Sequence, residues 1–162
     1  MDNYLFEVKL KKKKAASKSK TRKKPIKFVT QEEHIDLTNG RILLILPIET
    51  VSEGNCFEPW QKRYARHKIQ KKIIWLSMLK IKYEISLPCI ITFCRLAPRT
   101  LDAHDNLPMS LKYIVDAVAS EITGDYRPGF SDNNKQISWK YSQEKSSAYG
   151  VKIDFSWKKS NS

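Results

Sequence analysis

Histidine and cysteine are scarce in this chain. There are three of each in 162 residues, with no CxxC or HxxxH pair. That argues against a structural zinc site, and the odd cysteine count argues against a disulfide framework. Long apolar runs are also missing. The strongest, ILLILPI (42–48) and PCIITF (88–93), are too short to span a bilayer. The N-terminus lacks the apolar stretch and small-residue cleavage site of a secretory signal. The expectation is a soluble, intracellular, cytoplasmic protein with no membrane partner, nucleoid-associated if its host is bacterial. Acid is absent from one long stretch: KLKKKKAASKSKTRKKPIK (9–27) holds eleven basic residues and no Asp or Glu.

That stretch dominates the formal net charge of +13. From Phe28 onward there are 19 basic and 15 acidic residues, a balance of +4, so the fold itself is only mildly basic. A Lys/Ser/Ala run cannot bury apolar surface and is expected to stay disordered. Such arms bind polyanions without sequence preference, which points first to nucleic acid. An anionic membrane surface, a targeting signal or plain solubility remain open alternatives. The expected organisation is an arm over 1–40, a domain over 41–157 and a short tail over 158–162.

NYLFEV (3–8) has strand composition but leads straight into the charged run. RILLILPI (41–48) predicts a buried strand ended by proline, and ETVSEGNCFEPW (49–60) a loop. The segment 59–83 predicts a helix, with Pro59 in its first turn and Glu58 near its positive end. Tyr64, Ile69, Ile73, Leu76 and Leu79 or Lys80 recur at roughly helical spacing and form its expected core face. Lys62, Arg63, Arg66, Lys68, Lys71 and Lys72 fill the rest, with no acid between Trp60 and Lys82. That surface is either a solvated face or an approach to phosphate. LPCIITFCRLAP (87–98) predicts a strand. A helix near 106–123 follows, with Leu107, Leu111, Ile114, Val115, Val118 and Ile122 as its apolar stripe and Gly124 as its stop. KQISWKYSQE (135–144) and AYGVKIDFSW (148–157) predict two strands joined as a hairpin. The order β-α-β-α-β-β implies a single α+β domain with a mixed sheet and two main helices.

The stretch RTLDAHDNLPMSLKYIVDA (99–117) concentrates the chemistry. At 100° per residue, with Asp105 at zero, Lys112 falls at about −20° and Asp116 at about +20°. The apolar stripe centres near 230°, so these three share a face away from the core. Asp102 lies one turn's length before the helix. Ordinary roles are available: Asp105 or Asn106 as cap, Lys112 and Asp116 as an i,i+4 pair, His104 as a surface residue. The chemical alternative is a hard divalent cation on carboxylate oxygens with a lysine at a phosphate. Asp132, just before a strand, is the further acid that would complete such a site.

RLAPRTLDAHDNL (95–107), KYIVDAV (112–118), SDNNKQISWKY (131–141), SEGNCFEPWQKRYARHKIQ (52–70) and YGVKIDF (149–155) together resemble the RusA family of Holliday junction resolvases, especially its phage-borne relatives. The likeness spans about residues 41–156 and excludes the basic arm. It matches Asp105 to the second acid of a "DxDN" element, Asp102 to the first, Lys112 to the family lysine and Asp132 to the late acid. Ala103 stands where the first acid is usual, and Asn133 replaces a second late acid.

The resemblance implies a homodimeric, Mg²⁺-dependent (or Mn²⁺-dependent) endodeoxyribonuclease that cuts branched DNA in recombination and repair. Asp102, Asp105 and Asp132 would hold metal, with Lys112 catalytic alongside them. Lys62, Arg63, Arg66, Lys71 and Arg99 would bind the DNA backbone, and His104 and Asp116 are additional candidates. The alternative is a non-catalytic DNA-binding protein on the same fold.

Overall fold

Alternation sets the sheet. In β2 (Arg41–Leu46) every second residue is buried: Ile42, Leu44 and Leu46. In β5 (Gly150–Trp157) the same period buries Val151, Ile153, Phe155 and Trp157. The antiparallel register sets Ile42 against Phe155 and Leu44 against Ile153, so both apolar sets face one way. β3 (Cys89–Ala97) continues that face, with Ile91 opposite Phe155 and Phe93 opposite Ile153. The computed structural model describes residues 26–55, 57–127 and 130–158. NYLFEV and most of the expected arm lie outside them, as does most of the expected tail.

Five strands form one mixed sheet in the order β1-β2-β5-β3-β4, where β1 is Glu32–Asp36 and β4 is Ile137–Lys145. The predicted α+β class is correct. Helices α1 (Trp60–Ile81) and α2 (Asn106–Thr123) pack together against its apolar face. α2 keeps its expected stripe, burying Leu107, Leu111, Ile114, Val115 and Val118, and ends at Gly124 with φ of 69°. That left-handed value suits a residue without Cβ.

Three details depart from the expectations. First, β1 lies inside the stretch assigned to the arm. All five of its residues are exposed, so no apolar alternation announced it. A parallel bridge between Phe28 and Tyr149 ties down the chain ahead of it. Second, β4 and β5 do not form a hairpin. β3 lies between them, parallel to β4 and antiparallel to β5. Strands flanking a third are about 10 Å apart. The four residues between β4 and β5 span about 13 Å when extended, enough for the crossing.

Third, α1 turns a different face inward. Its buried residues are Gln70, Ile74, Met78 and Ile81, while Tyr64, Ile69, Leu76 and Leu79 are exposed. Two apolar stripes compete on this helix, and the one that meets the sheet and α2 is the shorter in sequence. Pro59 sits at the N-cap, one residue before the first helical position. No helix among the described residues is long and apolar enough to cross a membrane.

Candidate nucleic-acid interface

The crossover from β3 through α2 to the parallel strand β4 fixes where the acids go. A parallel crossover returns the chain to the end of the sheet from which it started. The start of α2, with Asp102 and Asp105, therefore lies at the opposite end of the sheet from Asp132, which precedes β4. A shared azimuth does not shorten a helix either. Eleven residues at 1.5 Å separate Asp105 from Asp116 by about 16 Å along the axis.

The expected set of Asp102, Asp105 and Asp132 is therefore divided. Among the described residues, no three His, Cys, Asp or Glu side chains gather as a metal-holding group. Two carboxylate stations lie along α2 instead, with Lys112 between them.

At the first station, Asp105 occupies the N-cap position, yet its carboxylate makes no capping hydrogen bond. Asp102 Oδ1 accepts the His104 backbone N–H at 2.8 Å, and the Asp102 carbonyl accepts the Leu107 N–H at 2.9 Å. Asp102, His104 and Asp105 are all exposed. The turn is held from below by several elements. The Gln143 amide bonds the backbone of Leu101, and the Ser52 hydroxyl lies 2.6 Å from Asn106 Oδ1. Arg95, only 5% exposed, donates to the Thr50 hydroxyl at 2.9 Å and to the Arg99 carbonyl at 2.7 Å. Burial pushes the Arg95 pKa down. The Arg99 residue itself is exposed.

At the second station, Asp116 is partly buried, and Lys112 Nζ lies 3.9 Å from its Oδ1. Burial raises the Asp116 pKa, and Asp132 raises it further through like-charge repulsion, against the pull of Lys112 and Lys71. The Tyr141 hydroxyl is likewise raised, by burial first and then by the charges of Asp132 and Asp116. These five groups thus share one electrostatic neighbourhood. Asp132 is held there by its backbone: its carbonyl accepts Trp139 Nε1 at 2.9 Å. The preceding Ser131 hydroxyl lies 3.2 Å from that of Ser120, which donates to the Asp116 carbonyl.

The basic face of α1 divides as well. Arg66 is 13% exposed and forms ion pairs with Glu53, at 2.8 Å, and with Glu58. Arg63 Nε is 3.2 Å from Glu53, and His67 Nε2 is 3.0 Å from the same carboxylate. His67 also stacks on Tyr113, centroid to centroid 3.5 Å. Glu53 belongs to a 3-10 turn (Glu53–Asn55) ahead of the helix. The absence of acid within α1 therefore misled, because its counter-charges come from just before it. Lys62 and Lys71 are exposed, and Lys71 borders the Asp116 side of α2.

Asp116, an additional candidate by sequence, has Asp132, Lys112 and Lys71 as charged neighbours. Tyr141 joins them from β4, a position set by packing between distant segments that residue spacing does not reveal. No family model matches the chain, and no curated protein matches it.

Proposed function

We propose that this protein is a divalent-metal-dependent endodeoxyribonuclease of RusA type acting on branched DNA. The observation that carries the reading is the clustering of Asp116 and Asp132 with Lys112 and Lys71 beside them. Two carboxylates in one neighbourhood, with Asp132 disfavouring the charge of Asp116, are a natural seat for a hard cation. Mg²⁺ commonly takes one or two carboxylates and completes its shell with water and substrate phosphate. The donor set is all oxygen, which fits. Asp116 and Asp132 would hold the ion, with Asp102 and Asp105 as a second pair at the start of α2.

A bound Mg²⁺ supplies charge stabilisation and a more acidic water. The chain's own groups do the rest. Lys112 sets a positive charge beside the carboxylates, where a scissile phosphate gains charge during attack. Lys62 and Lys71 hold the DNA backbone, and the basic run 9–27 adds sequence-independent attraction. The resemblance supports a homodimer that presents two such sites to a junction.

Incubation with a four-way junction and Mg²⁺ tests the reading, with single Asp105→Asn, Asp116→Asn and Asp132→Asn variants alongside. Cleavage by the wild type, lost in Asp116→Asn and Asp132→Asn while junction binding persists, is the expected result. Absence of wild-type cleavage across Mg²⁺ and Mn²⁺ and a range of salt would sink it. The separation of Asp102 and Asp105 from Asp132 favours one second reading, a DNA-binding protein without nuclease activity. Tight junction binding with no turnover is its signature.

A further inference from the structure

The side of α2 that carries Asp116 also borders a cleft that metal chemistry alone does not require. It lies between α1, α2 and the chain after α2, with a volume of about 400 Å³. Its character follows from helical spacing. On α1, Lys71 and Trp75 are one turn apart. On α2, Tyr113 and Ala117 form one such pair, and Asp116 and Ser120 another. Ala117 and Ser120 are small and leave the space that Trp75, Tyr113 and Tyr126 border with aromatic surface.

Two features make this more than a gap in packing. Trp75 is 46% exposed beside it, an arrangement that leaves indole surface unused by the core. Tyr113 spends one ring face on His67, while Trp75 and Tyr126 also border the cleft with aromatic surface. Glu121 also borders the cleft, with its side chain nearly buried. Its two oxygens accept the Tyr126 hydroxyl and Lys82 Nζ, each at 3.3 Å. A carboxylate offers about four lone-pair positions, so acceptor capacity remains. Lys82 offsets its charge, which removes an electrostatic objection to a nearby phosphate.

We infer that this cleft is a subsite for one unpaired nucleobase, stacked on Trp75 and read through its exocyclic amino group by the Glu121 carboxylate. The inference rests on the DNA reading above. A flat aromatic ligand suits the walls, and Lys71 stands at the rim for the adjoining phosphate. Carboxylates accept from the cytosine amino group, and guanine and adenine carry amino donors too. Thymine has none and is the disfavoured occupant. An unpaired base next to the proposed phosphate site would make a branch point a better ligand than continuous duplex.

The test uses the full chain without divalent metal, so binding is read apart from cleavage. Affinity is measured by anisotropy for a fully paired duplex and for a branched DNA carrying one unpaired cytosine or thymine. A second branched DNA carries 2-aminopurine at that position, whose fluorescence reports unstacking from its neighbours. The wild type is expected to prefer the unpaired cytosine over thymine and to change the 2-aminopurine signal. Trp75→Ala is expected to weaken binding to the branched DNA about tenfold. Trp75→Phe is expected to restore most of that loss, and Glu121→Gln to flatten the cytosine preference. Thermal melts confirm that each variant folds. Equal effects of Trp75→Ala on paired and branched DNA, with no 2-aminopurine response, overturn the base subsite while leaving DNA binding intact. No binding to any DNA overturns both.

Discussion

Gln143 grips the backbone of Leu101 with both ends of its amide. Its Nε2 donates to the Leu101 carbonyl at 2.7 Å, and its Oε1 accepts the Leu101 N–H at 2.8 Å. One side chain on an edge strand thereby fixes the turn that delivers Asp102 and Asp105. Gln143→Ala removes partners from two backbone groups at once. The expected cost is about 1–3 kcal/mol. Hydrogen exchange should speed up over residues 98–105 and stay unchanged in α1. Uniform loss of protection across the chain would mean that the clamp is not local.

Asp116 makes stability depend on pH. Its folded pKa lies above the ordinary carboxylate value because burial and Asp132 disfavour its charge. The native state therefore binds this proton more tightly than the unfolded chain does. The contribution is fully present below the unfolded pKa, near 4, and is lost as pH rises through the raised folded value. Asp116→Asn removes the penalty of ionisation. At neutral pH the variant is expected to melt a few degrees higher than wild type, with the gap closing in acid. Denaturant melts across pH 3 to 8 check this, and an equal gap at every pH would contradict it.

Arg66 and Lys71 are expected to fail in different ways. Arg66 answers Glu53 and Glu58 in a nearly closed pocket. Arg66→Ala removes the cation that Glu53 and Glu58 share, leaving Glu53 with Arg63 and His67, a loss of about 3 kcal/mol. Lys71 is exposed, so Lys71→Ala should leave the melting temperature within about 2 °C of wild type. Its effect should appear in DNA affinity, with the salt-dependence slope falling by about one. Chemical denaturation and salt titrations of both variants separate the roles.

What could be read from the sequence was periodic. α2 declared its extent, its buried stripe and its terminal glycine, because each depends on residues within a few positions of one another. α1 declared its length but not its inward face, since Ile69, Leu76 and Leu79 form as regular a row as Ile74, Met78 and Ile81. The pairing of β4 with β3 was hidden because a short connection fits either a hairpin or a step across one strand. The carboxylates were misgrouped for a related reason. A helical wheel reports direction and discards height, and Asp105 and Asp116 differ in height. The ion pairs of Arg63 and Arg66 escaped notice because Glu53 and Glu58 lie outside the helix they neutralise.

β1 carries Glu32, Glu33 and Asp36 on an edge with no buried side chain, so it looks dispensable. Its value lies in what it covers. Behind it runs RILLIL, a β-branched and leucine strand whose backbone bonds on that side are spent on β1. A chain begun at residue 41 would turn that strand into a sticky template for its own copies. Such a truncation is expected to aggregate on expression, whereas a chain begun at residue 26 stays monodisperse by size-exclusion chromatography. In a molecule that is otherwise strongly cationic, this short acidic strand guards the sheet against polymerisation.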